Sequence, residues 1–117
     1  MAEDILNKIY SERGYIEDFH RVLLKEDPNF LELYLKIWEN VFKNGNLDKK
    51  TAALVRLAAI SVLKIENGLN HGIDQALASG CTEGEIMDVF KIAYLFSGNA
   101  TLIPSMEMVK KKFHIEG

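Results

Sequence analysis

The segment from Lys49 to Glu66 limits what this chain can fold into more than any other. Between Ala52 and Ile65 only Arg56, Ser61 and Lys64 are polar, so a helix built from this stretch is apolar on nearly every side. Such a helix needs neighbours all round. The chain has 117 residues, which fits one domain spanning 1–117 and leaves few other helices to surround this one. A second copy of the chain is therefore expected to cover part of it, because apolar patches of that size are rare on monomers. The stretch is no membrane span: Arg56 and Lys64 interrupt it, and it falls short of the roughly 18 uninterrupted apolar residues that a span needs.

The remaining sequence reads as further helices with no alternating strand pattern and no repeat, so the expected fold is all-α, a single-domain helical bundle. Ile5, Leu6, Ile9, Ile16, Phe19, Val22 and Leu23 recur at helical spacing from Ala2 to about Leu24, with a break or kink at Gly14. Asp27-Pro28 opens a helix over about 29–43, where Asp caps free N–H groups and Pro suits the first turn. Its stripe is Leu31, Tyr34, Leu35, Trp38, Val41 and Phe42, and it stops at Asn44-Gly45-Asn46. Asp48 caps the apolar helix, which is expected to reach Glu66. Glu66-Asn67-Gly68 marks a kink or short break, followed by a piece over about 69–79 that ends at Gly80. Thr82 and Glu85 have capping-box spacing at the start of a helix over about 83–97. A last helix over about 101–113 would hold Pro104 in or near its first turn, where the missing N–H costs little. Its Lys110-Lys111-Lys112 run reads as a solvated face that complements the helix dipole.

Charge and cysteine count narrow the function. Fourteen Lys and Arg against seventeen Asp and Glu give a net charge of −3, without the positive field that a nucleic-acid backbone requires. No nucleic acid and no membrane is expected as a partner. Met1-Ala2-Glu3-Asp4 lacks the basic-then-apolar order of a signal peptide, and the single cysteine, Cys81, forms no disulfide within the chain. A cytoplasmic protein is the expectation.

The stretch Gly45-Asn46-Leu47-Asp48-Lys49-Lys50-Thr51, then Leu54 to Val62, then Ala76-Leu77-Ala78-Ser79-Gly80-Cys81-Thr82-Glu83-Gly84-Glu85-Ile86, resembles the carboxymuconolactone decarboxylase and alkylhydroperoxidase D-like family. The likeness runs on through Ala93-Tyr94-Leu95-Phe96-Ser97-Gly98 and covers roughly Asn29 to Phe113. It implies an all-helical fold that assembles with copies of itself, commonly as trimers or hexamers. Peroxidase-type members of the family carry Cys-x-x-Cys-x-x-x-His before the Ala-Leu pair. With Ala76-Leu77 in that register, the cysteine positions are Ile65 and Gly68 and the histidine position is Gly72. A one-residue insertion, such as a π-bulge between His71 and Ala76, would shift them to Lys64, Asn67 and His71. Neither register supplies a thiol. Thiol peroxidase chemistry needs a thiolate nucleophile, so the two-cysteine reaction is not expected.

The candidate site residues are then His71, Glu66 and Asp74. His71 follows the kink and can serve as acid or base near neutral pH, with Asp74 three residues on as an orienting group. No dense metal-ligand pattern surrounds them, so neither a metal nor a cofactor is called for. Two functions follow. One is an oligomeric small-molecule-binding or assembly protein. The other is a decarboxylase-like enzyme using His71 as general acid/base on an acidic ring substrate, with only Lys64 and Arg56 nearby for its carboxylates. A third reading is a one-cysteine peroxidase through Cys81, whose sulfur would sit near a helix N-terminus.

Overall fold

The computed structural model describes the backbone of residues 2–116 and the side chains of residues 4–65 and 67–116. Its described residues form helices and no strand: α1 (Ala2–Arg13), α2 (Asp18–Glu26), α3 (Pro28–Phe42), α4 (Lys49–Leu63), α5 (Glu66–Ala78), α6 (Glu83–Ser97) and α7 (Asn99–Lys112). They fall into two compact units, Met1–Leu47 and Asp48–Gly117. None of the helices is long and apolar enough to cross a membrane.

In the first unit the helical pattern from Ala2 breaks where expected. α1 ends at Arg13 and Gly14 takes a φ of 82°. α3 opens as its sequence indicates: Pro28 sits in the first turn and the Asp27 carboxylate accepts a hydrogen bond from the Phe30 N–H at 3.2 Å. Ile9, Leu31 and Leu35 form the apolar core, with Ile5, Leu6, Ile16 and Leu23 packed against it. Val41, expected on the buried stripe of α3, is exposed together with Phe30, Leu33 and Ile37. These four recur at helical spacing and give α3 a second apolar face, turned outward.

This unit also encloses a polar cluster. The Arg13 guanidinium donates to the hydroxyls of Tyr34 at 2.9 Å and Tyr15 at 2.6 Å, and lies 4.5 Å from the centre of the Trp38 ring. His20, wholly buried, sits 3.2 Å from Arg13 Nη1 through Nε2 and accepts the Glu17 N–H through Nδ1 at 3.0 Å. Burial, and after it the Arg13 charge, pushes the His20 pKa down to about 4. The imidazole is therefore neutral at neutral pH.

In the second unit, Asp48 caps α4 through the Thr51 N–H at 2.7 Å. The helix stops at Leu63, earlier than the sequence indicates, because Lys64 turns into the left-handed region with φ 60°. Its N–H bonds back to the carbonyls of Ile60 and Ser61, closing the helix end. The kink or short break expected at Glu66-Asn67-Gly68 falls earlier, at Lys64-Ile65, and those three residues form the first turn of α5. The far end of α5 follows expectation: Gly80 has φ 93° and the Cys81 N–H reaches the Ala76 carbonyl at 3.0 Å. Both halves of the capping box are made at α6, Glu85 N–H to Thr82 Oγ1 at 3.1 Å and Thr82 N–H to Glu85 Oε1 at 2.8 Å.

α7 departs from expectation. It begins at Asn99, so Pro104 is an interior residue and the Ala100 carbonyl loses its helical donor. Close by, the Ser105 hydroxyl donates to the Thr101 carbonyl at 2.7 Å. Leu57, Ile73, Ile86 and Phe90 are fully buried at the centre of the unit, with Leu69, Ala76 and Val109 around them. Coverage of α4 is incomplete. Val55, Val62 and Leu63 remain exposed, as do Ile92, Leu95 and Phe96 on α6, the last at 88%.

Candidate functional site

Helix α5 carries the candidate positions and presents them on two sides. Gly68, Gly72 and Ala76 recur every fourth residue and form one side, turned to α4. A Cβ at Gly72 would lie 3.1 Å from Leu57 Cδ1. One at Gly68 would lie 3.1 Å from Ile65 Cγ2 and 3.2 Å from Ile60 Cγ2. A side chain at either position would therefore require aliphatic groups of α4, or Ile65 after its cap, to give by a few tenths of an ångström. Helix α5 is α-helical from Glu66 to Ala78, with no π-turn in it. No π-bulge lies between His71 and Ala76 to produce the one-residue shift considered above.

The other side of α5 is polar and faces α7. Asp74 receives both its hydrogen bonds there from Lys112 Nζ, at 3.0 and 2.9 Å. The Lys110-Lys111-Lys112 run is accordingly not only a solvated face, since Lys112 ties α7 to α5. His71 is half-buried on α5. The Asp74 carboxylate, expected to orient its ring, is directed to Lys112. The third candidate, Glu66, opens α5, but its side chain lies outside the described residues.

Two adjoining grooves lie beside this polar side. One, of about 290 Å³, is lined by Ser61, Lys64, Leu69, Pro104, Glu107, Met108 and Lys111. The next, of about 460 Å³, is lined by Asn67, Asn70, Met108, Lys111, Lys112 and His114. Met108 and Lys111 belong to both, and His71 lines neither. Among the described residues no group of three His, Cys, Asp or Glu side chains is placed to hold a metal ion.

Cys81 sits apart, between α5 and α6, and is 5% exposed. Its thiol points at the Lys50 carbonyl, 3.6 Å away, while the Lys50 ammonium pairs with Glu85 at 2.7 Å. Burial, and then the Glu85 charge, pushes the thiol pKa up. Burial thus favours the protonated thiol, against the thiolate that a one-cysteine peroxidase needs.

A family model described as the carboxymuconolactone decarboxylase family matches residues 28–111. The chain belongs to that family. Curated relatives from Methanocaldococcus jannaschii include the uncharacterized protein MJ1511, 31% identical over 88 residues that make up 75% of this chain and 82% of that protein. A second, the uncharacterized protein MJ0742, is 25% identical over 92 residues, or 78% of this chain and 88% of that one. The match begins at α3, so the Arg13 and His20 cluster combines a matched segment, through Tyr34 and Trp38, with residues that precede it.

Sequence reasoning left two features unread. His20 looked isolated because its partner Arg13 lies across a helix break, where periodicity carries no information. The groove was legible only in part: Asn67, Asn70 and Asp74 share one helical face, yet nothing in the sequence pairs that face with α7.

Proposed function

We propose that this protein is a self-associating, small-molecule-binding member of the family that lacks thiol peroxidase activity. The observation that carries the reading is that neither register supplies a thiol, and that Gly68 and Gly72 pack so that a Cβ at either would lie 3.1 Å from an aliphatic neighbour. A buried, protonated Cys81 is a poor substitute nucleophile. Self-association is supported by the apolar groups left exposed on α4 and α6, among them Leu63, Leu95 and Phe96. Ligand binding is supported by the two grooves beside α7.

Light scattering coupled to size-exclusion chromatography tests assembly, with a trimer or hexamer expected. A protein that stays monomeric at micromolar concentration would contradict this part of the reading. Hydroperoxide consumption tests the other part: the parent protein and Cys81→Ser should both match the buffer blank, and a rate lost on substitution would contradict it.

A further inference from the structure

We propose that Asn44 is a site of spontaneous covalent modification, converting to aspartate and isoaspartate through attack by the Gly45 backbone nitrogen, whereas the other Asn-Gly pair, Asn67-Gly68, is held out of this reaction by α5.

The reaction joins a side-chain amide to the nitrogen of the next residue. The Gly45 nitrogen gives up its proton and bonds to the carbonyl carbon of the Asn44 side chain. The bond from that carbon to the amide nitrogen breaks, and the nitrogen takes up a proton and leaves as ammonia. A five-membered succinimide remains. Water then adds to one of its two carbonyls. Opening on one side gives aspartate, and opening on the other gives isoaspartate, whose main chain runs through the side-chain carbon. Water is the one co-reactant, and nothing is oxidised or reduced. Asparagine counts among the thermolabile residues. A following glycine favours the attack, because no side chain shields the nitrogen and the backbone rotates freely.

The sequence contains two such pairs, and the structure gives them opposite settings. Asn44 lies beyond Lys43, which caps the end of α3, and before Asp48, which caps the start of α4. Asn44 and Gly45 are both exposed. Among the described residues the Gly45 N–H donates no hydrogen bond and the Asn44 amide makes none. No structure therefore has to open before the nitrogen reaches the side chain. The glycine is also required where it stands. A Cβ at position 45 would lie 2.5 Å from the Val41 carbonyl oxygen, so a larger residue would force the chain off the end of α3.

Asn67 is exposed as well, so exposure does not separate the two pairs. It is the second residue of α5, in a turn closed by the Leu69 N–H on the Ile65 carbonyl at 2.8 Å. Ring closure needs the next nitrogen eclipsed with Cβ, and a helix, with ψ at about −42°, turns that nitrogen away. Closing the ring at Asn67 would unwind the turn and lift Gly68 from its seat against Ile60 and Ile65. Conversion at Asn44 disturbs no helix. It adds one carboxylate to a chain of net charge −3, just past the end of α3, where the helix dipole opposes it.

The test is peptide mapping by mass spectrometry after the full chain has been held in warm, mildly alkaline buffer. One arm is folded and the other is in guanidinium chloride, and both run until the denatured arm has converted. In denaturant the two pairs should react alike. In the folded arm Asn44 should convert about tenfold faster than Asn67 or more, because α5 must open first at the second pair. The Asn44 peptide should also become a substrate for enzymatic isoaspartate methylation. Asn44→Gln lengthens the side chain and disfavours the five-membered ring, so the acidic form that ion exchange resolves in the aged parent should be lost. A thermal melt shows that this variant is folded. Equal rates at the two pairs in the folded chain would overturn the proposal, and so would a folded Asn44 that stays intact. An acidic form that persists in Asn44→Gln would place the modification elsewhere and overturn it too.

Discussion

The two sides of α5 have opposite characters although their residues alternate along the same thirteen positions. Toward α4, glycines bring the helices so close that a single added carbon would crowd Leu57 or Ile60. Toward α7, Asn67, Asn70 and Asp74 stand against lysines, with open grooves between. One side is closely packed and apolar and the other is open and polar. Gly68 and Gly72 thus serve packing against α4.

Placing a large side chain into the closed side should have the largest effect. Gly72→His should destabilise the protein by about 3 kcal/mol or more in urea unfolding, since the ring would have to displace the fully buried Leu57. A variant as stable as the parent would mean that the seam is loose and that the contrast between the two sides is overstated.

A smaller effect comes from outside α5 and sharpens the comparison by assigning acid sensitivity elsewhere. The folded His20 pKa of about 4 lies below its ordinary 6.5. The unfolded chain therefore takes up a proton first as pH falls. Stability from this residue is complete above pH 6.5 and declines between 6.5 and about 4, by on the order of 2 kcal/mol. Urea midpoints across that range should show the decline. They should show much less of it in His20→Gln, whereas Gly72→Ala should retain it in full. An unchanged slope in His20→Gln would remove the histidine from the account.

On the open side the expected effects are small. Asp74→Asn breaks a pair whose carboxylate is about half exposed, and should cost less than about 1 kcal/mol. Lys64→Gly relieves the left-handed strain and should raise the melting temperature slightly, the gain offset in part by the entropy of an added glycine. A large loss in either variant would show that this side, too, is structural.

How far the sequence could be read followed the range of the interactions. The capping box at Thr82 and Glu85, the Asp27 and Asp48 caps and the turn at Gly80 are made by residues within a few positions of each other, and all formed as their spacing indicates. The end of α4 was misplaced because lysine gives no stop signal; the chain takes the left-handed turn at Lys64 without the glycine that usually announces it. Pro104 was misplaced by the two residues that α7 gains at its start. At the candidate site the missing thiols were legible from composition alone. The close packing of Gly68 and Gly72 was not, because Leu57 and Ile60 lie on another helix, and sequence separation hides which side of α5 those residues meet.

The claim that α5 is packed shut against α4 is tested most directly by a double-mutant cycle between Gly72 and Leu57. Leu57→Val removes the terminal methyl that lies 3.1 Å from a Cβ at position 72. The account predicts that Gly72→Ala destabilises the parent yet becomes neutral or stabilising in the Leu57→Val background, with a coupling energy of about 1 kcal/mol. The same change in stability in both backgrounds would contradict it.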